Sequence, residues 1–294
     1  MGAVKYVPEN MKVELSLKVP GNNAVNYKLH PDKLENSYFD YEWRSDNKLP
    51  ITVFHKVEER DSCMRLTVQL TAAQDVYFNY RQLLSTGYRH DNCQFYMPGF
   101  WYRRNLRSPK KAPSFHTSDS WLLREDRLSA PLTGIFSEKE KRFMTVNRLD
   151  DFSMDALATH KEGEIILSGK TSLGFTGFEN QQGIAMLSFG FPYREAPKSY
   201  IRKLTLAPEV EAFQLMKKGE SVLLTWEIME SGADDFSDFI QHTWEHCYDT
   251  YAPKPVENSY SIADMKQVLS CFFVNSLVDN QPLVYNSGIH LKVS

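Results

Sequence analysis

The sequence predicts a mainly β protein: a large antiparallel β-supersandwich, then a helical linker and the first helix of an α/α domain. Three observations predict it. More than ten segments in the first 230 residues alternate apolar and polar side chains or read as short apolar runs. Polar turn signals rather than helices separate most of them. After Asp234 the apolar spacing changes from two to three or four residues, the period of a helix.

The first segment, MKVELSLKV (11–19), sets Val13, Leu15, Leu17 and Val19 on one face and Lys12, Glu14, Ser16 and Lys18 on the other. That is the pattern of a half-buried strand. Strands are further predicted at 51–58, 64–72, 76–81, 131–137, 142–149, 153–161, 164–174, 183–191, 199–207 and 220–230. Turn signals SEKEK (137–141), KEG (161–163), NQQG (180–183) and KKGE (217–220) fall between them, as in successive hairpins. Many strands without intervening helices argue for stacked antiparallel sheets rather than a βαβ array. Residues 85–125 stand out as a long irregular insert, which in a compact domain is either functional or ordered by packing.

Phe236, Phe239, Ile240, Thr243, Trp244, Cys247, Tyr248 and Tyr251 form one side of an amphipathic helix that ends before APKP (252–255). A second helix is predicted from Ser261, an N-cap with Asp264 three residues on, carrying the stripe Ile262, Met265, Leu269, Phe272, Phe273 and Leu277. The expected organisation is a β-supersandwich over 1–232, a helical linker over 233–258 and the start of an incomplete α/α domain over 259–294.

Composition excludes several functions. A net charge of -3 gives no electrostatic case for nucleic acid, and the densest basic run, RSPKK (107–111), reads as a solvated loop. No apolar run approaches the roughly 20 residues of a membrane span. The start, MGAVKYVPEN, lacks the apolar region of a signal peptide, and Tyr6 stands where myristoylation wants Ser or Thr. Cys63, Cys93, Cys247 and Cys271 are too widely spaced for a metal cluster and too few for a disulfide scaffold; Cys247 and Cys271 read as small buried hydrophobes. No catalytic residue, metal or cofactor is assigned. The acidic runs RLDD, REDR and ADD show no spacing that singles out a hydrolytic pair, and no nucleophile elbow or phosphate loop occurs. His242 and His246 stand four apart on the first helix, yet Trp244, Cys247 and Tyr248 around them read as packing.

Carbohydrate binding remains. Sugars stack their C–H faces on aromatic rings and take paired hydrogen bonds from planar polar groups. FYMPGFWYRRN (95–105) supplies both, with Phe100, Trp101 and Tyr102 as rings and Arg103, Arg104 and Asn105 as donors; Trp121, Arg124, Asp126 and Arg127 follow nearby. The same residues equally suit packing against another domain or an ordinary core, since arginine over an aromatic face is a common structural arrangement.

The segments YMPGFWYRRN (96–105), SWLLREDRLSAP (120–131) and FIQHTWEHCYDTYAPKP (239–255), in that order, make the chain resemble the N-terminal region of bacterial, Bacteroides-type glycoside hydrolases. These join a galactose-mutarotase-like β-supersandwich to an α/α six-hairpin barrel. Arg124, Asp126, Arg127 and Pro131 fit their Arg-x-Asp-Arg segment followed by proline. The resemblance implies an accessory module that shapes a cleft for an oligo- or polysaccharide and packs on a helical catalytic domain in cis. That domain would supply the catalytic carboxylates, so this chain alone is expected to be inactive. It further implies a periplasmic or cell-surface setting if a signal peptide has been removed. A stand-alone carbohydrate-binding protein and a structural interaction module without sugar affinity are the alternatives.

Overall fold

The computed structural model describes residues 7–35, 37–60, 63–107, 112–150, 162–202, 205–254 and 260–275. In chain order the strands are β1 (Met11–Lys18), β2 (Val25–Lys33), β3 (Tyr41–Arg44), β4 (Ile51–Glu59), β5 (Cys63–Ala72), β6 (Val76–Arg89), β7 (Cys93–Met97), β8 (Trp101–Arg103) and β9 (Trp121–Arg124). They continue as β10 (Leu132–Ser137), β11 (Arg142–Arg148), β12 (Gly163–Ile166), β13 (Phe175–Gln181), β14 (Ile184–Phe191) and β15 (Arg194–Glu195). The last are β16 (Tyr200–Arg202), β17 (Thr205–Leu206), β18 (Val210–Met216) and β19 (Ser221–Gly232), before helices α1 (Phe236–Tyr251) and α2 (Ile262–Asn275). The strand predicted at 153–161 and the chain after Asn275 lie outside the described residues.

The strands form two facing antiparallel layers. One runs β2–β1–β6–β14–β13–β9. The other runs β2–β3–β4–β5–β19–β11–β10–β7–β8. β2 belongs to both: Val25–Leu29 pair with β1, and His30–Lys33 pair with β3. β18 extends the first layer at the end of β6, and its pairing with β12 is parallel, a departure from the otherwise antiparallel pattern.

Period-two side chains fill the space between the layers. Val13 and Leu15 of β1, Val53 of β4, Leu66, Val68 and Leu70 of β5, and Leu187 and Phe189 of β14 are all buried there. Rings cross the gap: Trp226 of β19 meets Phe189 at 5.2 Å, and Phe95 of β7 stacks on Phe178 of β13 at 4.0 Å. A buried hydrogen-bond chain also crosses it. Tyr80 donates its hydroxyl to Gln82 Oε1 (2.8 Å), so the 2.9 Å contact with His55 is donated by His55 Nε2.

Helix α1 covers the outer face of the second layer. Phe239 lies parallel to Phe136 at 5.9 Å and meets Phe143 at 5.0 Å. Gly134 makes this approach possible, because a Cβ there would fall 2.6 Å from the Phe239 ring. Asp235 caps the helix, accepting the N–H groups of Ser237 (2.7 Å) and Asp238 (3.0 Å). At α2 the Ser261 hydroxyl accepts the Asp264 N–H (3.1 Å) while the Asp264 carboxylate accepts the Ser261 N–H (3.0 Å), a reciprocal capping box.

The chain divides into two compact units, Met1–Cys247 and Tyr248–Ser294. Within the second, Ile262, Val268, Leu269, Phe272 and Phe273 of α2 are exposed. Cys271 is exposed as well, unlike its expected burial, whereas Cys63, Cys93 and Cys247 are buried. Burial pushes the thiols of Cys63, Cys93 and Cys247 up to about 11, about 12 and about 12. Among the described residues no helix is long and apolar enough to cross a membrane.

The expected insert at 85–125 carries strands at its two ends: β6 continues to Arg89, β7 and β8 follow, and β9 closes it, while the described residues between β8 and β9 are irregular. β7, five residues long, is buried on both faces and so shows no alternation.

Candidate functional site

The β7–β8 hairpin positions the site. Met97, Pro98, Gly99 and Phe100 close it with a turn in which the Phe100 N–H bonds to the Met97 carbonyl at 3.0 Å. Gly99 takes φ +80°, the left-handed third position that a type II turn requires and that Pro98 before it favours. A Cβ there would also sit 2.6 Å from Ser129 Oγ. The register pairs Met97 with Trp101, Tyr96 with Tyr102 and Phe95 with Arg103. Strand alternation then sorts the aromatic run. Phe95, Met97 and Trp101 point into the space between the layers, and Tyr96 and Tyr102 point to the other face with their rings 5.4 Å apart.

Two expected ligand contacts are therefore corrected. Trp101 is 0% exposed, packed on Trp121 (5.4 Å) and Phe178 (5.2 Å), and its indole N–H is donated to the Arg103 carbonyl at 2.9 Å. Trp121 is buried too, with its N–H on the Ser118 carbonyl at 2.9 Å. Both rings are core, beyond the reach of a ligand.

Tyr102, Arg103, Arg104 and Asn105 do converge. With Gln94 and Arg107 they line a groove of about 950 Å³. Tyr102 is 50% exposed and is its aromatic surface. Asn105 is an internal brace. Its Oδ1 accepts the Tyr102 N–H (3.2 Å), and its Nδ2 donates to the carbonyls of Phe100 (3.2 Å) and Pro113 (3.4 Å). Arg103 and Asn105 are both left-handed (φ 58° and 48°), a conformation that asparagine tolerates better than arginine. Arg104 is held by the Cys93 carbonyl (3.1 Å) and the Asp91 carbonyl, and lies over Phe115 at 4.9 Å. Arg103 lies over Phe236 at 5.1 Å.

Among the residues that line the groove, sequence reasoning missed Gln94, Leu106, Arg107 and Glu138. Gln94, 8% exposed, gives its amide N–H to Glu138 on the same wall, while its Oε1 has no hydrogen-bond partner. Gln94 reaches the groove through the antiparallel pairing of β7 and β10, which no local pattern announces. Arg107 did carry a signal, as the first residue of the basic run set aside as a solvated loop. Trp244 of α1, read as packing, does not line the groove; it is 39% exposed and donates its N–H to the Tyr96 hydroxyl at 2.7 Å.

Arg124, Asp126 and Arg127 are not among the residues that line the groove; they take part in an ionic network. Arg124 holds Asp126 bidentately (2.5 and 2.9 Å) and lies over Tyr193. Arg127 pairs with the buried Glu195 at 2.6 Å. Nearby, Arg148 bonds to the buried Glu125 (2.7 Å) and to Asp150 (3.1 Å). Burial raises the Glu125 and Glu195 carboxyls, with Arg148 and Arg127 opposing it.

The histidine pair diverges: His242 approaches Asp238 (3.4 Å) and His246 approaches Glu227 (2.8 Å). Cys63, Glu227 and His246 bring potential metal-ligand atoms within 4.8 Å of one another. Both Glu227 oxygens are engaged, one by His246 and the other by Arg65 at 3.3 Å, so the cluster reads as a hydrogen-bonded tie between α1 and the sheet.

No family model and no curated protein matches the chain. Among solved structures, a polysaccharide lyase is 14% identical over 80% of this chain and 27% of its own, with a TM-score of 0.35. The Slr1438 protein of Synechocystis sp. PCC 6803 is 8% identical over 74% of this chain and 73% of its own, with a TM-score of 0.38. A human-microbiome protein described as a kojibiose phosphorylase is 5% identical over 90% of this chain and 27% of its own, with a TM-score of 0.33. The chain spans 27% of the length of the first and of the third.

Proposed function

We propose that the chain is a non-catalytic, glycan-contacting β-sandwich module of a carbohydrate-active enzyme of the glycoside hydrolase type. The observation that carries this is the groove on the β7–β8 hairpin. There the exposed ring of Tyr102 stands beside converging guanidinium groups and the unpartnered amide oxygen of the buried Gln94. A flat apolar ring with planar donors and one buried acceptor matches the amphipathic surface of a sugar. The module's work in this reading is to present one wall of a substrate cleft, with hydrolysis performed by a helical catalytic domain. The exposed apolar side chains of α2 support such a partner, since a helix with so much exposed apolar surface gains by packing against other helices.

Glycan-array and calorimetric titration of the wild type and Tyr102→Ala test the reading. Tyr102→Ala should abolish glycan binding while moving the thermal midpoint by less than about 2 °C, because half-exposed rings contribute little to folding. Unchanged glycan binding in this variant would sink the proposal. An array silent for the wild type would favour the structural interaction module instead.

A further inference from the structure

We infer that the groove takes an acidic glycan, one whose sugar units carry carboxylates, and this rests on the reading of the groove as the glycan site. The argument begins with where the chain leaves positive charge unpaired. Elsewhere, each arginine whose side chain is described pairs with an aspartate or glutamate at 3.8 Å or less. The exceptions among the described residues are Arg103, Arg104 and Arg107, and all three line this groove.

Like charges gathered in one concavity repel one another, and the field they focus attracts an anion. The carboxylate on the wall, Glu138, already accepts the Gln94 amide. Asp235 lies within electrostatic range of Arg103, but its carboxylate is engaged by the N-terminal amides of α1. One wall carboxylate thus faces three guanidinium groups. Arg104 is fixed by neutral carbonyls and an aromatic face, which orient the group without cancelling its charge. Guanidinium forks match carboxylates in two parallel hydrogen bonds.

A bare anion would leave one group unserved. Gln94 Oε1 is buried, lacks a partner and can only accept, so it calls for a donor such as a hydroxyl. The Tyr102 ring calls for an apolar face. Carboxylate, hydroxyl and C–H face occur together on a uronic acid. The volume, about 950 Å³, lies near the top of the range of about 300–1,000 Å³ usual for small-molecule sites.

The experiment is calorimetric titration of the full chain with an oligouronate and with the same oligosaccharide after its carboxyl groups are reduced to alcohols. The oligouronate should bind about tenfold or more tighter than its reduced form, as expected for loss of one charge-assisted hydrogen-bonded pair. Its affinity should fall as salt rises. Arg107→Ala should weaken the oligouronate about tenfold and leave the reduced form nearly unchanged, with the thermal midpoint held. Equal binding of the two forms would overturn the acidic preference and leave the glycan reading standing. Failure of both to bind, together with a silent neutral-glycan array, would remove the reading itself. Tighter binding of a single-stranded oligonucleotide than of the oligouronate would also overturn the inference.

Discussion

At the scale of single residues, neighbours in sequence do unrelated work. Trp101 and Tyr102 are adjacent, yet one is sealed in the core and the other is half exposed. Trp101→Ala should cost about 3–5 kcal/mol of stability, measured by chemical denaturation, as for other large-to-small aromatic deletions in a core. His55 gives a second residue-level expectation. Burial holds its imidazole neutral down to about 3. The unfolded chain takes up that proton near pH 6.5, so folding stability from this group is complete above 6.5 and is lost as pH falls toward 3. By pH 5 the loss should reach about 2 kcal/mol. His55→Gln should flatten the fall of the urea midpoint between pH 7 and 5; an unchanged slope would assign it to other groups.

At the scale of elements, half-buried strands and capped helices were legible. β1, β4 and β5 follow the alternation read from Val13, Leu15 and their counterparts. Both helix starts follow from Asp235 and Ser261. β10, β11 and β14 were legible although they bury both faces, whereas β7, five residues long, and β2, which leaves most of its side chains exposed at the seam of the layers, were not. The candidate site was legible in its residue types but not in their directions, because β8 has only three residues on which to show a period. The cover formed by α1 depends on a glycine that no pattern marks. Gly134→Val should force the Phe239 ring aside and cost about 1–3 kcal/mol. A crystal structure or tryptophan fluorescence of Trp244 should show α1 displaced.

For the larger unit, the main question is what ties its outer parts to the two-layer core. The Glu125–Arg148–Asp150 cluster joins the end of β9 to β11 and to the N–H of Gly174. Arg148→Leu leaves the Glu125 carboxylate buried without its cation, and should cost about 3–5 kcal/mol in chemical denaturation. Replacing Glu125 and Arg148 together by apolar residues should recover much of that loss, so a double-mutant cycle separates burial of charge from the pairing itself.

The alternation across the β7–β8 hairpin has a consequence for how such a groove can change over time. Core-facing and groove-lining residues are interleaved along this short stretch of chain, with Trp101 buried beside the exposed Tyr102. Under the proposed reading, substitutions at Tyr102, Arg103 or Arg107 would be read by a ligand, whereas those at Met97 or Trp101 are read by the core. A lineage could therefore exchange one ligand for another by altering only the outward set, without passing through an unfolded ancestor.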